Sequence, residues 1–161
     1  MSNFVKGILI AVVIFVLDQF SKYYVFAMLD ERAYPVIEVM PYFNLVKVYN
    51  YGVSFGMFNN LAYGQVILSV VAIIITIILL IWLKKVAKLH MSIALGLIIG
   101  GAIGNIVDRI RFGAVADFLD FYVGDYHWPA FNIADSAVVV GVFILLIDSF
   151  VSDDEKENKN A

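Results

Sequence analysis

Residues 65–83 carry no charged side chain and centre on VVAIIITIILLIWL. At about 1.5 Å per helical residue, such a run crosses about 30 Å of hydrocarbon. Three further apolar stretches, 4–28, 91–110 and 134–151, are long enough to do the same. The chain is 62% hydrophobic and only 16% charged, too few charges to cover a water-soluble surface. These features predict an all-α integral membrane protein with four transmembrane helices, forming one membrane-embedded domain over 1–161.

The first stretch could be a cleaved signal peptide, since Lys6 precedes an apolar run. However, Asp18-Gln19-Phe20-Ser21-Lys22 follows where a small-residue cleavage site belongs, so a retained helix is expected. The turn after the second stretch holds Lys84, Lys85 and Lys88, which the positive-inside rule assigns to the cytoplasm. Both termini then lie inside, and the 30–64 and 110–133 connections face outward. Lys22, Arg32, Lys47, Arg109 and Arg111 fall on or near the outer side, and the last two run against the rule.

Strand character is confined to 30–60, where PVIEVMPYFNLVKVYNYGVSFGMF alternates β-branched and aromatic residues between Pro35, Pro41, Gly52 and Gly56. A small extracytoplasmic β-sheet between helices 1 and 2 is expected there. The 110–133 connection reads as a loop, and 152–161, SDDEKENKNA, as a disordered tail. A net charge of −3 gives no basic field for nucleic acid. The absence of Cys excludes disulfides and thiol catalysis, and His90 and His127 alone make a zinc site improbable. No metal or cofactor is implied.

Ionisable residues within membrane segments are functional candidates by default. In the first helix Asp18 and Lys22 share a face, acid before base. They read first as a support pair with Lys22 snorkelling to water, and last as part of a Ser21–Lys22 hydrolase. In the third helix Gly96, Gly100 and Gly104 form a small-residue packing face. Asn105 and Asp108 follow within a turn of each other. Asp108 lies at the negative end of the helix dipole, where Arg109 could compensate it. Asp117 sits among apolar and aromatic neighbours, where desolvation raises a carboxyl pKa. Asp120 and Asp125 read as solvated loop acids.

Asn132 is a candidate N-cap for the fourth helix, and Asp135 falls in its first turn, where negative charge is favoured. Two carboxyls forced together share one proton, so one can activate water while the other protonates the carbonyl or leaving amine. Spacing alone leaves both Asp108 and Asp117 open as partner of Asp135. A proton-relaying transporter, with Asp148 as its only far station, and a membrane scaffold are the alternatives to such an aspartyl hydrolase.

With these residues assembled, the chain resembles the lipoprotein signal peptidases (signal peptidase II). The shared motifs are Asp18-Gln19-Phe20-Ser21-Lys22, Asn50-Tyr51-Gly52-Val53-Ser54-Phe55-Gly56, Gly100-Gly101-Ala102-Ile103-Gly104-Asn105 through Asp108-Arg109, Gly113-Ala114-Val115-Ala116-Asp117-Phe118, and Phe131-Asn132-Ile133-Ala134-Asp135-Ser136. They span most of the chain in family order. Val53-Ser54 stands where Ala-Ala is common, and Ala116 where Val is common. The resemblance implies an aspartyl endopeptidase of the bacterial inner membrane with its active site at the extracytoplasmic face. It would cut diacylglyceryl-modified prolipoproteins just before the lipid-modified Cys. It also implies contact with membrane lipid and inhibition by cyclic-peptide antibiotics. The resemblance selects Asp117 and Asp135 as the catalytic dyad. Asp18, Lys22, Asn50, Gly52, Asn105, Asp108, Arg109, Asn132 and Ala134 match the supporting positions.

Overall fold

The computed structural model describes residues 1–52 and 64–160, with 152–160 described as backbone alone. Four helices are long and apolar enough to cross a membrane: α1 (Asn3–Asp30), α2 (Gly64–Leu83), α3 (Leu89–Phe112) and α4 (Ile133–Asn160). The protein is a multi-pass membrane protein. The side chain of Ser2 caps α1 by accepting from the Val5 N–H at 3.3 Å. At its other end α3 stops on Gly113, whose φ of 66° admits the left-handed turn that returns its N–H to the Arg109 carbonyl. The polar stretch 152–161 falls on residues whose side chains lie outside the described ones; the backbone continues α4 to Asn160.

α3 is the central helix. Over half of its spanning segment is buried, 56%, against 11–17% for the other three. Small residues cause this. A Cβ on Gly96 would come within 2.5 Å of the Gly7 carbonyl oxygen, and one on Gly100 within 2.5 Å of the Ala11 oxygen, so α1 lies directly on that face. Gly101 faces α4, where an added Cβ would collide with the Ala134 carbonyl. The small-residue face thus serves packing within the bundle. Leu83, Leu95, Ile99 and Ala11 fill the space between α1, α2 and α3.

A four-stranded antiparallel sheet, in the order β1-β2-β3-β4, sits over one end of the bundle. β1 (Val36–Met40) and β2 (Phe43–Asn50) come from the connection expected to form a sheet. β3 (Val115–Val123) and β4 (Tyr126–His127) come from the connection read as a loop, which corrects that reading. Its acids obscured the pattern: Asp117 and Asp120 interrupt an apolar run, yet both are buried. Their partners are distant in sequence. The sheet rests on the end of α1 through Phe118 against Val25 and Leu29, with Leu45 and Leu119 alongside. A register shift in the β2–β3 ladder between Leu45 and Val48 then pairs Val48 with Asp117 and Asn50 with Val115. The family-motif residues 53–56 lie outside the described residues.

Candidate active site

Asp117 leaves the start of β3 and Asp135 the first turn of α4, and one hydrogen-bonded network holds both. Asn132 links them. Its side-chain oxygen accepts the Asp135 N–H at 2.9 Å, the cap that starts α4. Its Nδ2 donates to Asp117 Oδ1 at 2.7 Å. Asn50, delivered by the end of β2, donates to the other oxygen, Oδ2, at 3.1 Å, and its own Oδ1 accepts the Gly52 N–H at 3.0 Å. Asn105 donates to Asp135 Oδ1 at 2.7 Å. Two of the four carboxylate oxygens thus meet Asn132 and Asn105, a third meets Asn50, and Asp135 Oδ2 has no side-chain hydrogen bond among the described residues.

Asp117 is 1% exposed. Burial pushes its carboxyl up to about 7, and the neighbouring charge of Asp135 pushes the same way. The amides of Asn50 and Asn132 pull it down, as does the charge of Lys22, but by less. A carboxyl in that range is both protonated and ionised near neutral pH, so it can give or take a proton during a reaction.

Beneath this pair lies a buried ionic layer. Lys22 Nζ is 2.8 Å from Asp18 Oδ2 and 2.6 Å from Asp108 Oδ2, and it donates to Asn105 Oδ1 at 3.3 Å. Its side chain is 5% exposed, so it does not snorkel to water. Asp18 Oδ1 accepts the Ala134 N–H at 2.9 Å, which ties α1 to the start of α4 one residue before Asp135. Asp108 Oδ2 accepts the Ala116 N–H at 3.2 Å, one residue before Asp117. Each acid of the layer therefore anchors the backbone beside one acid of the pair. Lys22 is the ion-pair partner of Asp108, whereas Arg109 donates to the Asn105 carbonyl at 3.3 Å and acts on Asp108, Asp117 and Asp135 through its charge alone. Its Nε is buried without a partner among the described residues.

Sequence reasoning gave Gln19 no role. The structure places its amide across the layer, donating to Asp108 Oδ1 at 2.9 Å and Asp18 Oδ2 at 3.2 Å. Its position beside Asp18 in a polar run within an apolar helix was the available signal. Asp120, read as solvated, is also buried. It accepts from Asn44 Nδ2 at 3.2 Å and meets His127 Nδ1 at 2.9 Å. Asp148 lies at the other end of the bundle, 2.8 Å from Lys88 Nζ and 2.6 Å from His90 Nε2.

A family model described as signal peptidase (SPase) II matches residues 10–151. The chain belongs to the signal peptidase II family. Relatives named lipoprotein signal peptidase include one from Alteromonas mediterranea, 42% identical over 94% of this chain and 84% of its own. One from Aeromonas hydrophila is 44% identical over 92% and 90%, and one from Anaplasma phagocytophilum 41% identical over 91% and 92%. The fold is similar to a bacterial membrane enzyme solved by the in meso method at 2.3 Å resolution. The two share a TM-score of 0.82 and 33% identity, covering 94% of this chain and 91% of that one. As a signal peptidase II family member, the protein is a membrane protease.

Proposed function

We propose that this protein removes signal peptides from diacylglyceryl-modified prolipoproteins as an aspartyl endopeptidase, cutting just before the lipid-modified Cys. The observation that carries the reading is Asp117. It is a buried carboxyl held at about 7 beside a second acid, with neutral amides fixing both. The bundle stands in the bacterial inner membrane with the sheet on the extracytoplasmic side, opposite the lysines of the α2–α3 turn. The precursor enters from the bilayer with its acyl chains along helix faces and its scissile bond under the sheet, near Asn50 and Gly52. Cyclic-peptide antibiotics would block the enzyme by filling the same groove.

Asp117 and Asp135 hold one proton between them. The ionised member takes a proton from a water, whose oxygen attacks the scissile carbonyl carbon. The protonated member gives its proton to the carbonyl oxygen. Collapse of the tetrahedral intermediate expels the amine, which leaves with a proton returned by the pair. Asn105 and Asn132 hold the acids in place without adding charge. Arg109, whose buried Nε has no partner among the described residues, adds positive charge beside the pair.

The test is a gel-shift cleavage assay in detergent with lipidated and unlipidated precursor. Wild type is expected to cut only the lipidated form, and well-folded Asp117→Asn and Asp135→Asn neither. Asp108→Asn should retain partial activity, as expected of an anchor. Full activity in Asp117→Asn would remove the dyad assignment, and a wild type inert toward both precursors would remove the peptidase reading.

A further inference from the structure

At the sheet end of the bundle a cavity of about 210 Å³ opens between α1, α3 and the sheet, bounded by Gln19, Tyr23, Phe26, Tyr49, Ala116 and Arg111. It shares Lys22 and Asp108 with the candidate active site but lies on the other face of the sheet. Ala116 lines it, and Asp117, the next residue of the same strand, points to the opposite face.

Two of its three cations are neutralised inside the protein. Lys22 is held between Asp18 and Asp108, and Lys47 pairs with Asp30 at 2.5 Å while lying 5.2 Å from the centre of the Phe26 ring. Arg111 differs. It forms no ion pair among the described residues, its Nη1 meets only the neutral Oε1 of Gln19 at 3.4 Å, and its guanidinium lies 5.0 Å from the Phe112 ring. It also stands at the end of the bundle opposite Lys84, Lys85 and Lys88, where the positive-inside rule disfavours a cation. Leading away from Tyr23 along α1, the side chains of Phe20, Val16 and Val12 are 65%, 54% and 52% exposed, an apolar track at helical spacing.

We propose that this cavity binds the phosphodiester of a bilayer glycerophospholipid. Arg111 meets the phosphate oxygens, the rings of Tyr23 and Tyr49 flank the glycerol, and one acyl chain follows the Phe20–Val16–Val12 track. A planar guanidinium is the side chain best matched to phosphate oxygens, and aromatic residues favour the membrane boundary. A neutral diacylglyceryl group could lie on the same track but offers Arg111 no charge. The phosphate therefore distinguishes a bilayer lipid from the substrate's own lipid. The inference is independent of the proposed peptide chemistry.

The test is equilibrium binding to the purified full-length chain in detergent, followed by native mass spectrometry. Dioleoyl phosphatidylglycerol, dioleoylglycerol and glycerol 3-phosphate serve as separate probes. Saturable binding of the phospholipid is expected, weakened about tenfold by Arg111→Gln, as loss of one charge-assisted contact implies, and weakened less by Arg111→Lys, which keeps the charge but not the planar fork. Lys85→Gln, at the far end, should leave it unchanged. Arg111 is exposed, so its variants should fold. Equal binding by wild type and Arg111→Gln would overturn the proposal. So would dioleoylglycerol binding as tightly as the phospholipid, which would indicate a neutral groove. Glycerol 3-phosphate saturating the site without lipid would indicate a soluble-anion site and overturn it equally.

Discussion

Replacing Gly104 with Ala tests whether the ionic layer positions the proposed catalytic pair. A Cβ there would lie 2.5 Å from Asp18 Oδ2 and 3.2 Å from its Cγ, so Asp18 must retreat by about 0.9 Å to reach ordinary contact at 3.4 Å. The carboxylate has little freedom to do so. It is fully buried, with Oδ1 on the Ala134 N–H and Oδ2 on Lys22 and Gln19. A shift of that size lengthens the Asp18–Ala134 bond, and Asp135 moves with Ala134. Overpacking of this kind costs about 1–3 kcal/mol of stability. Displacing a reacting group by roughly 1 Å can cost about a hundredfold in rate. Gly141→Ala supplies the comparison. It overpacks a different contact of α3, the one with α4, 2.6 Å from Ile98 Cγ1 and 2.7 Å from the Ala94 oxygen, and touches nothing in the site. Thermal unfolding and cleavage rate, measured on both purified variants in detergent, should show similar losses of stability. Only Gly104→Ala should show the hundredfold loss of kcat in its folded fraction. Wild-type kcat in Gly104→Ala, or equal kcat losses in the two variants, would refute the positioning role of Asp18.

The shared proton predicts a bell-shaped pH–rate profile whose alkaline limb falls near 7, because activity is lost as the pair gives up its last proton. The Asn50 amide lowers the Asp117 pKa, so Asn50→Ala should move that limb to higher pH; an unmoved limb would break the link between Asp117 and the profile. Lys22→Met leaves Asp18 and Asp108 buried without their cation and should cost about 3–5 kcal/mol in denaturant or thermal unfolding, whereas a loss under 1 kcal/mol would mean the layer is weakly coupled.

The helices were legible because each spanning run carries its own signal. The small-residue face of α3 was legible for the same reason, although only the structure assigns Gly100 to α1 and Gly101 to α4. Residues 115–127 were not legible as strands. Their pattern is set by partners elsewhere: Asp117 is made tolerable by Asn50 and Asn132, and Asp120 by Asn44. Asp108 shows the same limit. The nearest cation in sequence is Arg109, but a helix turns adjacent side chains away from each other, and Lys22 reaches it from α1.

This arrangement explains how a small membrane protein can keep several acids at one end of its bundle. Asp18 and Asp108 share the buried charge of Lys22, so they anchor backbone without needing water. Each spends an oxygen on a peptide N–H one residue ahead of a catalytic candidate, Ala134 before Asp135 and Ala116 before Asp117. Among the described residues, the candidates themselves receive only neutral amides from Asn50, Asn105 and Asn132 as direct side-chain partners. A cation in direct contact would hold Asp117 ionised and remove the proton that the pair must share. Lys22, which meets Asn105 rather than Asp117, lowers the Asp117 pKa less than burial and Asp135 raise it. The separation of charged anchors from neutral donors is therefore what allows Asp117 to stay near neutrality while its position remains fixed.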